Sequence, residues 1–243
     1  SPPVNAINQA IRAGLRRTFE TAIDHADVSA ILLTCAGRTF AAGADLREFD
    51  EPIADPGYHE VFGIMENSPK PVIVAMHGTA LGAGLEAALA CHYRCAADSA
   101  RVGLPEVSLG IIPGAGGSQR LPRLVGAKAA LELILNITPV DAVQALKIGI
   151  LDHVIDGDFI EGAIAYARTI LAEGAGPRKT SEMRINTEGY TNEFLAEARK
   201  TAAKKARGQG APELVIEAIS HAIKLPFDEG IIEERRIGDE ALV

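Results

Sequence analysis

The sequence predicts an α/β chain that closes with a helical region. Three observations carry that expectation. Apolar runs bounded by Gly or Pro read as buried strands, Ala30 to Cys35 and Val72 to Met76 foremost, and helical patterns alternate with them. Between Ser68 and Leu121 the chain sets out the strand Val72-Ile73-Val74-Ala75-Met76, the small-residue turn Gly82-Ala83-Gly84, and an Ala/Leu-rich helical stretch to about Cys91. Beyond Gly174-Ala175-Gly176-Pro177-Arg178-Lys179, the best linker composition in the chain, the remaining pattern is helical throughout. The expected division is therefore a core over residues 1–176 and a helical C-terminal region over 177–243.

Composition narrows the function classes. A chain of 243 residues, 47% hydrophobic and 5% aromatic, supports one large domain or a domain with an appendage, its core built from aliphatic side chains and alanine. A net charge of −8 argues against general nucleic-acid binding, which needs a basic field, although a local basic patch is still able to hold an anionic ligand. No apolar run reaches the ~20 residues of a membrane span and no signal-peptide pattern is visible, so neither a membrane nor a nucleic acid is expected as partner.

Cys35, Cys91 and Cys95 are few and odd in number, which suits a reducing compartment. Cytoplasm is the expected location, with peroxisome or mitochondrial matrix as alternatives; the last residues, Ala241-Leu242-Val243, do not spell a Ser-Lys-Leu address. Cys91-His92-x-x-Cys95 has no second ligand pair at suitable spacing, so these side chains read as core and no metal is expected.

Taken in order, Asn5 to about His25 reads as an amphipathic helix capped by Asn5, with Ile7, Ile11, Leu15, Phe19 and Ile23 on the apolar face and Arg12, Arg16, Arg17 and Glu20 opposite. The small residues of Phe40-Ala41-Ala42-Gly43-Ala44-Asp45 let a ligand approach the backbone, and Asp45 is placed to cap a helix after it. Glu51 to Gly57, with Pro52 and Pro56, is a loop. Gly114-Ala115-Gly116-Gly117-Ser118 is a second glycine turn into a helix; it does not follow a strong strand and is not GxGxxG, which excludes a dinucleotide site. Helices are expected over Gly126 to Asn136, from Thr138 (cap) and Pro139 (N1) to Gly149, and over Phe159 to about Glu173, with a short strand from Leu151 to Ile155. Phe194 to Arg207 carries Arg199, Lys200, Lys204, Lys205 and Arg207, a basic patch in an acidic chain. Pro226 to Gly230 reads as a turn before a last charged helix.

The chemistry sits where strand gives way to helix. Amides at positions 83 and 84 open a helix, lack intrahelical acceptors and lie at the positive end of its dipole, an arrangement suited to a developing oxyanion. Glu86 falls in the first turn of that helix, and Glu106 follows Leu104-Pro105 after a short strand-like segment. Singly, each carboxylate has an ordinary explanation: acidic residues are favoured in first turns, and loops carry carboxylates. Together with two small-residue amide sites they describe one geometry.

The chain resembles the crotonase (enoyl-CoA hydratase/isomerase) superfamily. The resemblance rests on Phe40 to Leu46, Gly78 to Glu86, Leu104-Pro105-Glu106 and Gly110 to Leu121, in register, and extends from Pro2 to about Leu171. His77 to Gly82, Ala90-Cys91-His92-Tyr93-Arg94 and Leu225 to Gly230 are most similar to the hydratase/isomerase portion of multifunctional fatty-acid β-oxidation enzymes. The family's N-terminal hairpin is expected to be absent, as Pro2-Pro3-Val4-Asn5-Ala6 follows it in relatives, and neither the family's dehydrogenase portion nor NAD chemistry is expected in these residues; a stand-alone relative and a piece of a longer chain both fit.

The resemblance implies a spiral of ββα units with a helical C-terminal region, acting on an acyl-CoA with no cofactor beyond the CoA of the substrate. It implies enoyl-CoA hydratase activity, with 3,2-enoyl-CoA isomerisation as a possible second activity; an isomerase-only or other acyl-CoA enzyme and a non-catalytic acyl-CoA scaffold are the rivals. The implied catalytic residues are Glu86 and Glu106, and the implied oxyanion hole is the backbone N–H of Ala44 and of Ala83, the second usually Gly in the family. Substrate-binding positions are Ala42, Asp45, Leu46, Arg47, Gly82 and Gly114, with Arg47 the first candidate for CoA phosphate, the basic tail the second, and Phe49, Pro52 and Ile53 as candidates for an acyl wall. A homotrimer or hexamer, or membership of a larger multifunctional chain, is the implied assembly.

Overall fold

The computed structural model describes residues 4–49, 53–205 and 210–241; Pro2, Pro52 and Arg207, which the sequence reading used, lie outside the described residues. In chain order the elements are α1 (Gln9–Asp24), β1 (Ile31–Leu33), α2 (Tyr58–Glu66), β2 (Val72–Met76), β3 (Thr79–Leu81), α3 (Ala83–Leu89), β4 (Tyr93–Ala97) and β5 (Arg101–Gly103). There follow α4 (Gly117–Val125), α5 (Ala127–Asn136), β6 (Val140–Asp141), α6 (Ala142–Ile148), β7 (His153–Ile155), α7 (Phe159–Ala172), α8 (Asn192–Lys205), α9 (Ala211–Lys224) and α10 (Phe227–Ala241). Single 3-10 turns occupy Leu46–Glu48, Glu106–Leu109 and Thr180–Glu182.

The chain divides into two compact units. The first joins the chain up to Val102 with Val140–Thr180; the second joins Gly103–Pro139 with the chain from Ser181. In the first, a parallel sheet runs in the order β1-β2-β4-β7, with Ile31 opposite Val72, Ile73 opposite Tyr93 and Cys95 opposite His153. Parallel strands are covered on both faces, which is why β2 is apolar at every position and buried at every position. One cluster, Ile73, Ala75, Tyr93, Cys95, Ile155, Ala163 and Ile170, packs α7 against this sheet. The second sheet, β3-β5-β6, is antiparallel between β5 and β6.

The sequence reading of α1 needs two corrections. Its cap is Asn8, whose side chain accepts from the Ile11 amide, and not Asn5. Asn5 instead takes a positive φ of 54° and donates to the carbonyls of Ala36 and Thr39, an early turn that delays the helix. The buried stripe is also rotated: Arg12 and Phe19 are buried, whereas Ile11 is exposed. An interior acceptor set for Arg12 outweighs the burial of one isoleucine, as described below.

Three further expectations change. β3 intervenes between β2 and the Gly82 turn, so the strand does not run straight into α3. Val140 and Asp141 form β6, and the cap of α6 is Asp141, whose carboxylate accepts from the Gln144 amide, in place of Thr138 with Pro139 at N1. The pairing of Val140 with Val102 claims the residues that a helix start would have used. The helix α10 begins at Phe227, so the turn before it is shorter than Pro226 to Gly230. Gly149 ends α6 at φ 89°, as read.

The 174–179 stretch lacks regular structure, yet it is fastened. The Tyr93 hydroxyl donates to Gly176 O at 2.8 Å, and Arg178 donates to Asp152 Oδ1 at 2.6 Å with its guanidinium 4.7 Å from the Tyr93 ring. In the second unit α9 packs against α4, α5 and α10, burying Val215, Ile216, Ala218, Ile219 and Ala222 at helical spacing. Gly230 lets α10 close on α4, since a Cβ there would stand 2.3 Å from Gln119 Oε1.

Candidate active site

The first unit holds most of the predicted site residues. The segment Phe40–Ala44 runs beside β3: Phe40 N–H donates to His77 O, Ala41 N–H to Thr79 O, and Leu81 N–H to Ala41 O. Its other side is tied to the chain before α1, with Ala42 N–H donating to Val4 O, Ile7 N–H to Gly43 O and Asp45 N–H to Ile7 O. The Ala44 amide sits between the last two of these bonds. A parallel bridge places Ala44 opposite Ile7, with the bonds carried by its neighbours Gly43 and Asp45. Gly43 takes a φ of 121°, which L side chains rarely adopt, and a Cβ on it would lie 3.6 Å from Leu81 O.

At the end of β3 the chain turns through Gly82, at φ 50° and ψ −129°, a conformation that L side chains rarely adopt. Ala83 is the first residue of α3, and the described non-glycine residues with positive φ are Asn5 and Ile137. Gly82 thus absorbs the strained bend and leaves Ala83 in an ordinary conformation, so alanine there keeps the amide donor. The amides that open α3 have no intrahelical acceptor.

Gly84 brings the two amide segments together. A Cβ on it would meet Ala41 Cβ at 2.7 Å and Ala41 O at 2.8 Å, so the first turn of α3 touches the 40–44 segment with no room for a methyl group. Gly84→Ala is expected to destabilise the chain by ~1–3 kcal/mol through overpacking. An unfolding free energy from denaturant titration within ~0.5 kcal/mol of wild type would show that the two segments are not in close contact.

Glu86 occupies the first turn of α3 with 3% of its surface exposed, and its amide closes the first helical bond, to Gly82 O at 2.9 Å. Burial pushes the Tyr58 phenol up to about 12, and the charges of Glu48 and Glu86 add to the same effect, so Tyr58 stays a hydroxyl donor. Asp45 caps the Leu46–Glu48 turn. Hydrogen bonds from the Arg47 side chain pull its carboxyl down to about 2, which keeps it ionised. Arg47 donates to Asp45 with Nε and Nη2 while its side chain stays 84% exposed, a cation aimed at solvent and steadied at its base. Leu46 is exposed beside it. Phe49 is half-buried and Ile53 exposed.

Glu106 and Gly114 belong to the second unit. Glu106 starts the Glu106–Leu109 turn and is 8% exposed, a buried carboxylate and not the surface loop residue that its sequence neighbours alone would suggest. Gly114 opens the turn before α4. That turn is anchored by Glu234 on α10, whose carboxylate accepts from Gly116 N–H at 2.6 Å and from the Ser118 hydroxyl. In the basic tail, Arg199 is paired with Glu213 and Lys200 with Glu197, so two of its cations have local partners.

The sequence reading did not anticipate Arg12, Glu48, Tyr58 or Glu234. For Arg12 a signal existed: it lies seven residues before Phe19, hence on the same helical face. Among the described residues no group of three or more His, Cys, Asp or Glu is arranged to hold a metal, and no helix is long and apolar enough to cross a membrane.

Known proteins share this arrangement of elements. The family model described as enoyl-CoA hydratase/isomerase matches residues 1–204. The peroxisomal bifunctional enzyme of Danio rerio is 41% identical over 234 residues, covering 96% of this chain and 32% of that protein. This chain spans about a third of the length of the curated relatives it matches. An enoyl-CoA hydratase structure from Bacillus anthracis is 31% identical with a TM-score of 0.58, over 97% of this chain and 81% of that one. A carnitinyl-CoA dehydratase structure from Mycobacterium thermoresistibile reaches a TM-score of 0.73 at 20% identity, over 98% of this chain and 79% of that one, a likeness of fold. The fold is the crotonase spiral with a helical C-terminal region, and the chain belongs to the enoyl-CoA hydratase/isomerase family.

Proposed function

We propose that this chain adds water across the C2=C3 bond of trans-2-enoyl-CoA thioesters in fatty-acid β-oxidation. The observation that carries the reading is the close seating of α3 on the 40–44 segment through Gly84, with a buried Glu86 in the first turn of that helix. Family membership supplies the reaction class.

Attack of water on C3 places negative charge on the thioester oxygen. The amides of Ala44 and Ala83 are assigned to that oxygen, each fixed donor contributing ~3–4 kcal/mol to the barrier reduction in a water-poor site. Glu86 orients the water and takes its proton as oxygen bonds to C3; Glu106 delivers a proton to C2, which gives syn addition and returns the enolate electrons to a C–H bond. Gly114 is assigned an amide near the water. Moving a proton from C2 to C4 of a 3-enoyl thioester passes through the same enolate, so isomerisation follows as a second activity with Glu106 as shuttle. No cofactor is needed beyond the CoA of the substrate.

Ala42, Leu46 and Gly82 are assigned to the pantetheine and thioester, and Arg47, oriented by Asp45, to CoA phosphate. The peroxisomal and glyoxysomal names of relatives support the peroxisomal alternative over the cytoplasmic location. Assembly as a homotrimer or hexamer, or within a longer chain, is assigned to the C-terminal helices and is tested by sedimentation. The activity itself is tested by the loss of enoyl-thioester absorbance on adding trans-2-butenoyl-CoA. Decay to the hydration equilibrium is the expected result; binding without decay overturns the hydratase reading.

A further inference from the structure

Arg12 is a fully buried arginine, and its bonds converge on one stretch of chain. Its Nε donates to Pro56 O at 2.8 Å, Nη2 to Ala54 O at 3.0 Å and Nη1 to Glu48 Oε2 at 2.6 Å. The guanidinium lies 4.5 Å from the centre of the Tyr58 ring. The other oxygen of Glu48 accepts the Gln9 amide at 2.6 Å, and the Gln9 side chain donates to Asp55 O at 2.9 Å. One turn of α1 therefore grips both Glu48 and the 54–56 segment.

The grip continues to Ala44. The Tyr58 hydroxyl, held under the guanidinium, donates to Ile7 O at 2.7 Å. That same carbonyl accepts Asp45 N–H at 3.2 Å, while Ile7 N–H donates to Gly43 O at 2.9 Å. On the other flank, Glu48 N–H donates to Asp45 O at 3.0 Å, so the residue paired with Arg12 is bonded back to the residue after Ala44. An isolated buried cation is costly, and a buried ion pair is seldom a better source of stability than apolar side chains of the same volume. What the arginine fork supplies and an apolar side chain does not is direction: three acceptors held at fixed angles around one plane.

We infer that Arg12 is a positioning residue for the Ala44 amide, acting through Glu48 on one side and through Tyr58 and Ile7 on the other. It touches no substrate atom. Its effect is to hold the Ala44 N–H where charge develops on the thioester oxygen, because a donor displaced by a fraction of an ångström still tolerates the neutral substrate but no longer meets the enolate. The inference rests on the hydratase reading through the role assigned to Ala44.

The test compares wild type, Arg12→Met, Arg12→Lys and Tyr58→Phe with three probes. These are trans-2-butenoyl-CoA for kcat and KM, acetoacetyl-CoA for the absorbance of its bound enolate, and butyryl-CoA for ground-state affinity by calorimetry. Arg12→Met is expected to lower kcat ~10–100-fold, part of the loss that follows removal of one oxyanion donor, with KM and butyryl-CoA affinity within ~3-fold of wild type. The enolate band of saturating acetoacetyl-CoA falls in parallel. Arg12→Lys, which keeps the charge but not the fork, recovers part of kcat; Tyr58→Phe shows the same pattern at ~3–10-fold.

A kcat within ~2-fold of wild type, or equal losses in kcat, enolate band and butyryl-CoA affinity, overturns the inference, since a general structural defect lowers all three together. Should Arg12→Met not fold, Arg12→Lys and Tyr58→Phe decide the question by the same criteria. A wild-type chain that binds butenoyl-CoA but does not hydrate it removes the hydratase reading and this inference with it, a result distinct from a hydrating wild type with unaffected variants.

Discussion

Glu86→Gln is expected to lower kcat for hydration of trans-2-butenoyl-CoA by ~10²-fold or more, about 2.7 kcal/mol in the barrier, with KM little changed. Glutamine matches the volume of the side chain in a site that exposes 3% of it, so packing is kept and the ability to accept a proton is lost. Glu106→Gln is expected to give a similar loss in hydration. The two variants part in a second assay. Isomerisation of a 3-enoyl-CoA requires the enolate and a proton shuttle but no attacking water, so Glu86→Gln retains more of this activity than of hydration, whereas Glu106→Gln loses both. Hydration rates for Glu86→Gln within ~3-fold of wild type would remove Glu86 from the mechanism. Equal losses of isomerisation in both variants would remove the division of labour between the carboxylates and leave the site itself standing.

The largest effect on stability is expected at Glu234. Its carboxylate, fully buried on α10, accepts from Gly116 N–H and from the Ser118 hydroxyl at the N-terminus of α4, where the helix dipole also favours an anion. Glu234→Ala leaves both donors without that acceptor and opens a void in the packed second unit. Each buried donor stranded in this way costs ~1–3 kcal/mol, so a total loss of ~2–5 kcal/mol is expected in denaturant unfolding. Ser118→Ala, which removes one donor and keeps the other bond, is expected to cost ~1 kcal/mol. A loss below ~1 kcal/mol for Glu234→Ala would show that α10 is held by its apolar contacts alone and that the glycine turn does not depend on this carboxylate.

Much of the local structure around the candidate site was legible in the sequence, because its signals are local. The unbroken apolar run Val72–Met76 announces a strand buried on both faces, and β2 is that strand. A short run of glycine and alanine ahead of an Ala/Leu stretch announces a helix start, and Glu86 does fall in the first turn of α3. Asp45 caps the residues after it because an aspartate reaches an amide two or three positions on, a distance that sequence spacing alone determines. Gly149 ends α6 at positive φ for the same local reason.

Tertiary structure decided what local spacing leaves open. Asn5 and Asn8 are both good caps by residue type, and Asn8 prevails because the Asn5 side chain is drawn to Ala36 O and Thr39 O, 31 and 34 residues away. Val140 and Asp141 had a helix start written locally and became a strand because Val102 offered a partner. Arg12 belonged on a solvent face until Glu48, Ala54 and Pro56, 36 to 44 residues later, supplied an acceptor for each arm of its guanidinium. Glu234 reached its role through Gly116, 118 positions away. Periodicity and capping are read within a few residues of the backbone they act on, so the sequence determined the elements and the residue types of the site; the partners of a buried charge are set by which distant segments meet, and those only the fold could name.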